Sequence, residues 1–292
     1  MRLLLTGASG QLGGYLLREC RAREESVIAW SGRRQGELFG YPLRPVDLAD
    51  LDAVAAAFHE ARPDVVIHSA ARATVSACHR DPVQAEQINT RGSAVLAELA
   101  DRAKVRLLHV STDMVFDGER GGYREDDEAR PMSVYGRTKA AGERAVLACP
   151  RNLVVRVSLL FGPSQIGRPT FFDEQVSSLR EGRPIPLFHD EWRTPLSLLV
   201  AARGLLALAD SDQTGLLHLG GPERLSRLEM GQRLAAFLRF DPAALVPTSR
   251  MSAAADEPRP RDLSLDSSRW RRLLPEQPWP AWDGALAELM LS

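Results

Sequence analysis

Short runs of apolar, mostly branched residues recur along the chain at Leu3–Thr6, Val27–Trp30, Asp64–His68, Arg106–Ser111 and Leu153–Val157. Each is too short for a helix and apolar at successive positions, the pattern of a strand covered on both faces. Between most of them the apolar residues fall at helical spacing. The clearest case is Ile88, Gly92, Val95, Leu96, Leu99 and Ala103, which predicts one long crossover helix with Asp81-Pro82 as its start signal. Strands alternating with helices predict an α/β fold, a doubly wound parallel sheet of the Rossmann type. A third strand is expected just before Asp47-Leu48.

The texture changes after Phe161. Gly162-Pro163, Gly167, Pro169, Gly182, Pro184 and Pro186 predict irregular chain with only brief helices, and prolines 258, 260, 275, 278 and 280 do the same further on. The expected organisation is a dinucleotide-binding core over 1–161, joined by a returning strand near 216–219. A smaller substrate lobe is built from 162–195 and 220–292. Leu196 to Ala209 reads as a buried helix, because it is interrupted by Arg203 and too short to cross a bilayer. Trp270, Trp279 and Trp282 read as packing anchors.

Composition narrows the partners. A net charge of -1, with acids interspersed among the arginines, argues against a nucleic-acid face. No segment predicts a membrane span. Cys20, Cys78 and Cys149 match no zinc or disulfide spacing, which suits a reducing compartment. Met1 leads straight into the first strand without room for a signal peptide, so the expected location is cytoplasmic. His68, His109 and His218 share no ligand spacing and read as core or edge residues; no metal site is expected.

Thr6-Gly7-Ala8-Ser9-Gly10-Gln11-Leu12-Gly13 follows the first strand and opens a helix. A pyrophosphate can sit on the N–H groups of such a helix start, with Gly7, Gly10 and Gly13 permitting the turn and Gln11 and Leu12 carrying exposed amides. For NAD an acid is expected about 20 residues further on, at the end of the second strand. That strand instead runs through Trp30 into Ser31-Gly32-Arg33-Arg34. Two guanidinium groups there suit a ribose 2′-phosphate, so NADP(H) is preferred over NAD(H). Asp47 and Leu48 are placed to contact adenine.

Tyr135 and Lys139 lie four residues apart, on one face if the segment is helical. An ammonium beside a phenol stabilises the phenolate, and a phenol so tuned can protonate a carbonyl oxygen as hydride reaches its carbon. Lys139 would also hold the nicotinamide ribose. Thr112 ends a strand where ligands of doubly wound folds bind, and its hydroxyl can bond the same oxygen.

Together these features resemble the extended short-chain dehydrogenase/reductase superfamily. Within it, Ser111-Thr112-Asp113-Met114-Val115-Phe116-Asp117-Gly118, Tyr123-Arg124-Glu125 and Arg259-Pro260-Arg261 resemble the dTDP-4-dehydrorhamnose reductase family. The resemblance implies NADPH-dependent reduction of a 4-keto-6-deoxy nucleotide sugar, with Thr112, Tyr135 and Lys139 catalytic and Ala70-Ala71 beside the cofactor. The chain departs from that family at Met114, where Tyr is usual, and at Leu159, where Trp is usual. It is also similar to the regulatory β subunit of methionine adenosyltransferase, through the arginine pair, Asp190-Glu191-Trp192-Arg193 and Leu216–Gly221. A non-catalytic NADP-binding subunit and a nucleotide-sugar epimerase are therefore carried as alternatives, with a homodimer as an option for assembly.

Overall fold

In the computed structural model, which describes residues 1–252 and 258–291, alternate residues of each strand pack on opposite faces of one sheet. Leu3, Leu5, Val65, Ile67, Leu108, Val110, Leu153 and Val155 join one buried cluster, whereas Leu4, Val66, Leu107 and Val154 join the other. Two-sided burial is what makes these strands read as continuous apolar runs. Each Leu, Ile or Val so buried contributes roughly 1.5–3 kcal/mol.

The chain runs through β1 (Arg2–Thr6), α1 (Gln11–Ala22), β2 (Ser26–Trp30), the edge hairpin β3 (Glu37–Leu38) and β4 (Tyr41–Arg44), α2 (Leu51–Ala61) and β5 (Val65–His68). It crosses by α3 (Val75–Arg80), α4 (Pro82–Glu86), a π-helical stretch Gln87–Gly92 and α5 (Ser93–Arg102) to β6 (Arg106–Thr112), then by α6 (Val134–Leu147) to β7 (Leu153–Val157). The later chain contains β8 (Leu160–Phe161), α7 (Phe171–Glu181), β9 (Ile185–Phe188), β10 (Trp192–Arg193), β11 (Leu196–Ser197), α8 (Leu198–Ala209) and β12 (Gly215–Leu219). It closes with β13 (Leu225–Ser226), α9 (Arg227–Leu238), β14 (Leu245–Thr248), α10 (Ser268–Leu273) and α11 (Trp282–Leu291).

Strand order in the main sheet is β12-β7-β6-β5-β1-β2-β4-β3, parallel throughout except for the β3 edge. The expected third strand is β4, and the returning strand is β12 beside β7. Order reverses between β1 and β5, the switch point at which doubly wound folds open a crevice beyond the strand ends. Thr6 stands level with His68, His68 with His109, and Thr112 with Val157, so the carboxyl ends of β1, β5, β6 and β7 face that crevice together.

Two expectations are corrected. The crossover is broken by the π-helical stretch, where one extra residue per turn brings Asn89 inward. Its Oδ1 accepts from the Arg72 amide at 2.8 Å, and its Nδ2 donates to Thr138 Oγ1 at 3.1 Å. The start signal stands, since Asp81 caps α4 by accepting from the Gln84 amide. Beyond Phe161, α7 and α9 are full helices rather than brief ones. Each begins with a capping box, Thr170 with Asp173 and Ser226 with Glu229, in which side chain and backbone at the helix start satisfy one another. Those pairs outweigh the prolines and glycines around them.

Of the stretch 220–292, residues 253–257 and 292 lie outside the described residues. Of the rest, Trp270 and Trp282 join the main core, the Trp282 ring 4.1 Å from that of Phe161, whereas Leu263 and Leu265 pack in a separate cluster with Phe116 and Tyr123. β14 pairs in parallel with β9, tying the two later stretches together. Among the described residues no helix is long and apolar enough to cross a membrane. The three cysteines are buried, and none of them is in a disulfide among the described residues.

Candidate active site

Gly7 leaves β1 with φ of +74°, a conformation that a side chain opposes, and a Cβ there would stand 2.7 Å from the Ala70 amide nitrogen. At Gly13 a Cβ would meet the Gly7 carbonyl oxygen at 2.1 Å. The turn therefore packs flush against β5 and its own helix only without side chains. Gly10 caps α1 with no side-chain bond to the first-turn amides, and Gln11 Oε1 is buried without a hydrogen-bond partner. Unpaired N–H groups at the positive end of a helix can hold a diphosphate.

The turn forms part of a cleft of about 980 Å³. Gly7, Gly10, Gln11, Leu12, Gly13, Asp47, Leu48, Ala70, Ala71, Thr112, Tyr135 and Lys139 all line it. Arg33 and Arg34 do not. The Arg33 guanidinium is exposed, 3.9 Å from the Asp47 carboxylate, while Arg34 donates to the Ile166 carbonyl at 3.2 Å. Ile166 belongs to a strap, 162–170, that crosses α1, where Tyr15 donates to the Pro163 carbonyl and Gln11 to that of Arg168. A separate hollow of about 680 Å³ contains none of the predicted site residues, and the Asp262 carboxylate in it is already taken by Arg224 and Ser264.

Thr112 ends β6, and its hydroxyl accepts from the Met114 amide at 3.2 Å. Tyr135 and Lys139 share α6, whose first turn is capped by Ser133. Their side chains differ from the expected pairing. Burial pushes the Tyr135 phenol above its ordinary pKa, and a hydrogen bond with Thr112 pulls the other way. The Lys139 ammonium is turned down towards the sheet, donating to the Val110 carbonyl at 2.8 Å with His109 Nε2 at 3.0 Å. Burial lowers Lys139 to about 8.

Behind α6 lies a set of contacts that periodicity could not reveal. Glu143 accepts from Ser111 and makes a buried ion pair with Arg156, and the Arg156 guanidinium sits over the Phe116 ring. Another group reaches the cleft wall: Asp113 accepts from Ser158 at 3.1 Å and lies 3.5 Å from Arg193. Burial raises Asp113, opposed by Arg193. Glu191, which burial alone would raise, is held below the carboxylate range by Arg193 and Arg227. Arg193 and Arg227 line the cleft as well. Arg261 bonds the Glu119 carbonyl instead.

His68, His109 and His218 are fully buried, and among the described residues no group of three or more His, Cys, Asp or Glu side chains could hold a metal ion. Burial lowers His68 and His218 to about 3 and keeps His109 well below its ordinary value. Unfolding releases these rings to titrate near 6.5, so the unfolded chain binds more protons below that pH and stability falls as the solution is acidified. Each ring should remove about 1.4 kcal/mol per pH unit below about 6. A urea midpoint unchanged between pH 7 and 5 would show that the folded protein protonates them.

The family model described as RmlD substrate binding domain matches residues 1–292. The dTDP-4-dehydrorhamnose reductase of Streptomyces griseus is 34% identical over 295 residues, covering 98% of this chain and 92% of that protein. The methionine adenosyltransferase 2 subunit beta of Pongo abelii is 30% identical over 289 residues, covering 93% and 82%. The crystal structure of a hypothetical dTDP-4-dehydrorhamnose reductase from Sulfolobus tokodaii is 31% identical, covers 97% of this chain and 99% of that one, and superimposes with a TM-score of 0.86. Matched along its whole length, the chain belongs to the RmlD substrate binding domain family.

Proposed function

We propose that the protein is an NADPH-dependent reductase of a 4-keto-6-deoxy nucleotide sugar. The observation that carries this reading is that the glycine turn and Thr112, Tyr135 and Lys139 line one cleft. The turn and the first amides of α1 fit a dinucleotide diphosphate, with Ala70 and Ala71 beside it and Asp47 and Leu48 at the adenine end. Bound there, the reduced nicotinamide supplies a hydride to the keto carbon. Thr112 and Tyr135 hydrogen-bond the keto oxygen, and the Tyr135 phenol, fully protonated at neutral pH, gives up its proton as charge builds there. Lys139 turns its remaining N–H to the cleft, where a ribose hydroxyl can accept it. The described residues of 162–195 and 220–292 form the substrate side over the 1–161 core. Met114 and Leu159 give the sugar an aliphatic wall, and exposed Arg168 suits its diphosphate.

The test is NADPH oxidation across a panel of dTDP- and UDP-4-keto-6-deoxy sugars. Turnover supports the reading, and none with any member, in protein that binds NADPH, sinks it. That negative result would favour the second reading, an NADP-binding regulatory subunit. The likeness to the Pongo abelii subunit beta supports this alternative, and co-purification with an adenosyltransferase tests it.

Arg33 and Arg34 carry the preference for the 2′-phosphate. Arg34 exchanges the Ile166 carbonyl for that phosphate. Replacing both by Ala is expected to weaken NADPH binding at least about tenfold while leaving NADH binding unchanged, since a hydrogen bond to a charged group is worth roughly 1.5–3 kcal/mol. Titrations of both cofactors check this; parallel losses would assign the arginines another role.

A further inference from the structure

Lys139 is buried, yet among the described residues no carboxylate receives its ammonium. Glu143, one turn along α6, is occupied by Arg156 from β7 and by Ser111. The two acceptors it does have are the Val110 carbonyl and His109 Nε2, both on β6. An ammonium carries three N–H groups and no acceptor site, so two are tied to the sheet and one is left for the cleft that Lys139 lines. The same valence count fixes the imidazole. Because the ammonium can only donate, Nε2 must be the bare nitrogen and Nδ1 must carry the ring proton. Nδ1 is buried and has no hydrogen-bond partner. Leaving that N–H unpaired is unfavourable in itself, and it is the arrangement that gives Lys139 its acceptor.

We propose that His109 is the positioning residue for Lys139: its bare Nε2 supports the ammonium form and orients the third N–H into the cleft. The other ionisable groups around the pair do not substitute for it. His68 on β5 lies with its ring 4.9 Å from that of His109, and its own nitrogens are engaged by Thr6 and Ser93. Since Ser93 donates to the Asn89 carbonyl, it accepts from His68 Nε2, and burial keeps that ring neutral with its proton there. Tyr135 on α6 bonds Thr112, with Asp113 beyond β6 and Cys78 of α3 near the phenol. Without His109 the Lys139 ammonium would keep a single protein acceptor and give up its proton at lower pH.

The chain has only two lysines, Lys104 and Lys139, so lysine-labelled protein gives two titrations by NMR without any need for turnover. Exposed Lys104 supplies the second resonance as an internal reference. The expected midpoint for Lys139 is about 8. In His109→Leu it should fall by about one unit or more, and in His109→Gln, whose amide oxygen can accept, it should recover. The imidazole nitrogen shifts of wild-type His109 should report the Nδ1-protonated tautomer while Lys139 is charged. The consequence for catalysis rests on the reductase reading: kcat should fall as pH rises through the Lys139 midpoint, and that fall should move with it in His109→Leu. A purely structural His109 would lower kcat at every pH without moving the midpoint. An unchanged Lys139 midpoint in folded His109→Leu overturns the proposal. So does the Nε2-protonated tautomer in the wild type, which decides the matter if the variant does not fold. The expected titrations without turnover would instead remove the reductase reading and leave the His109–Lys139 coupling standing.

Discussion

Tyr135→Phe should lower kcat with a 4-keto nucleotide sugar by roughly 10²–10⁴-fold, the usual contribution of a positioned general acid. The ring still fills its place on α6, and what is lost is the hydroxyl that bonds Thr112. Losing one such bond costs about 1 kcal/mol, so the melting temperature should shift by only a few degrees and NADPH binding should be unaffected. Burial keeps the phenol protonated across the neutral range, so the variant removes the acid without altering the charge of the cleft. The wild-type profile should be level below neutrality and fall as pH rises through about 8, where Lys139 loses its charge. Single-turnover rates with saturating NADPH separate the chemical step from binding. A Tyr135→Phe rate within a few-fold of wild type would show that another group, or water, protonates the oxygen.

The glycine turn was legible because its information is contiguous: strand, turn and helix start lie within a dozen residues, and the close approaches of Gly7 and Gly13 are local or one strand away. Two-sided burial made the core strands equally plain. The π-helical stretch was not legible, because apolar spacing tolerates one extra residue and the reason for it, Asn89 reaching Thr138, lies across 49 positions. Nor was the direction of Lys139. Four-residue spacing places two side chains on one helix face but does not say whether an ammonium turns to its neighbour or down to the sheet. Arg193 and Arg227 were hidden for a different reason. Among 37 Lys and Arg residues, little local marks the ones that become buried; burial follows from Arg193 meeting Asp113, and Arg227 meeting Glu191, across distant segments. The helices α7 and α9 did carry a signal, the capping pairs Thr170/Asp173 and Ser226/Glu229, which the surrounding prolines and glycines obscured.

Glu143→Ala is expected to destabilise the protein by roughly 3–5 kcal/mol, because it leaves the Arg156 guanidinium buried without its counter-charge. In a chain of this size that is a fall in melting temperature of roughly 5–8 °C. The pair sits behind the helix that carries Tyr135 and Lys139, so loss of the anchor should reach the cleft. Ser111 loses its acceptor, Arg156 keeps only its 3.4 Å contact with His218 and its place over Phe116, and α6 is freed from β7 on one side. The charge itself is not required. Glu143→Met combined with Arg156→Met should recover most of the stability, since two apolar side chains of similar volume remove both desolvation costs together. A double-mutant cycle on unfolding free energy, run beside kcat, separates the two contributions. If each single variant costs less than about 1 kcal/mol, water reaches the pair and the anchor is not dry. If the double variant recovers stability but not kcat, the ion pair fixes the angle of α6, and so the position of the phenol, more closely than packing alone can.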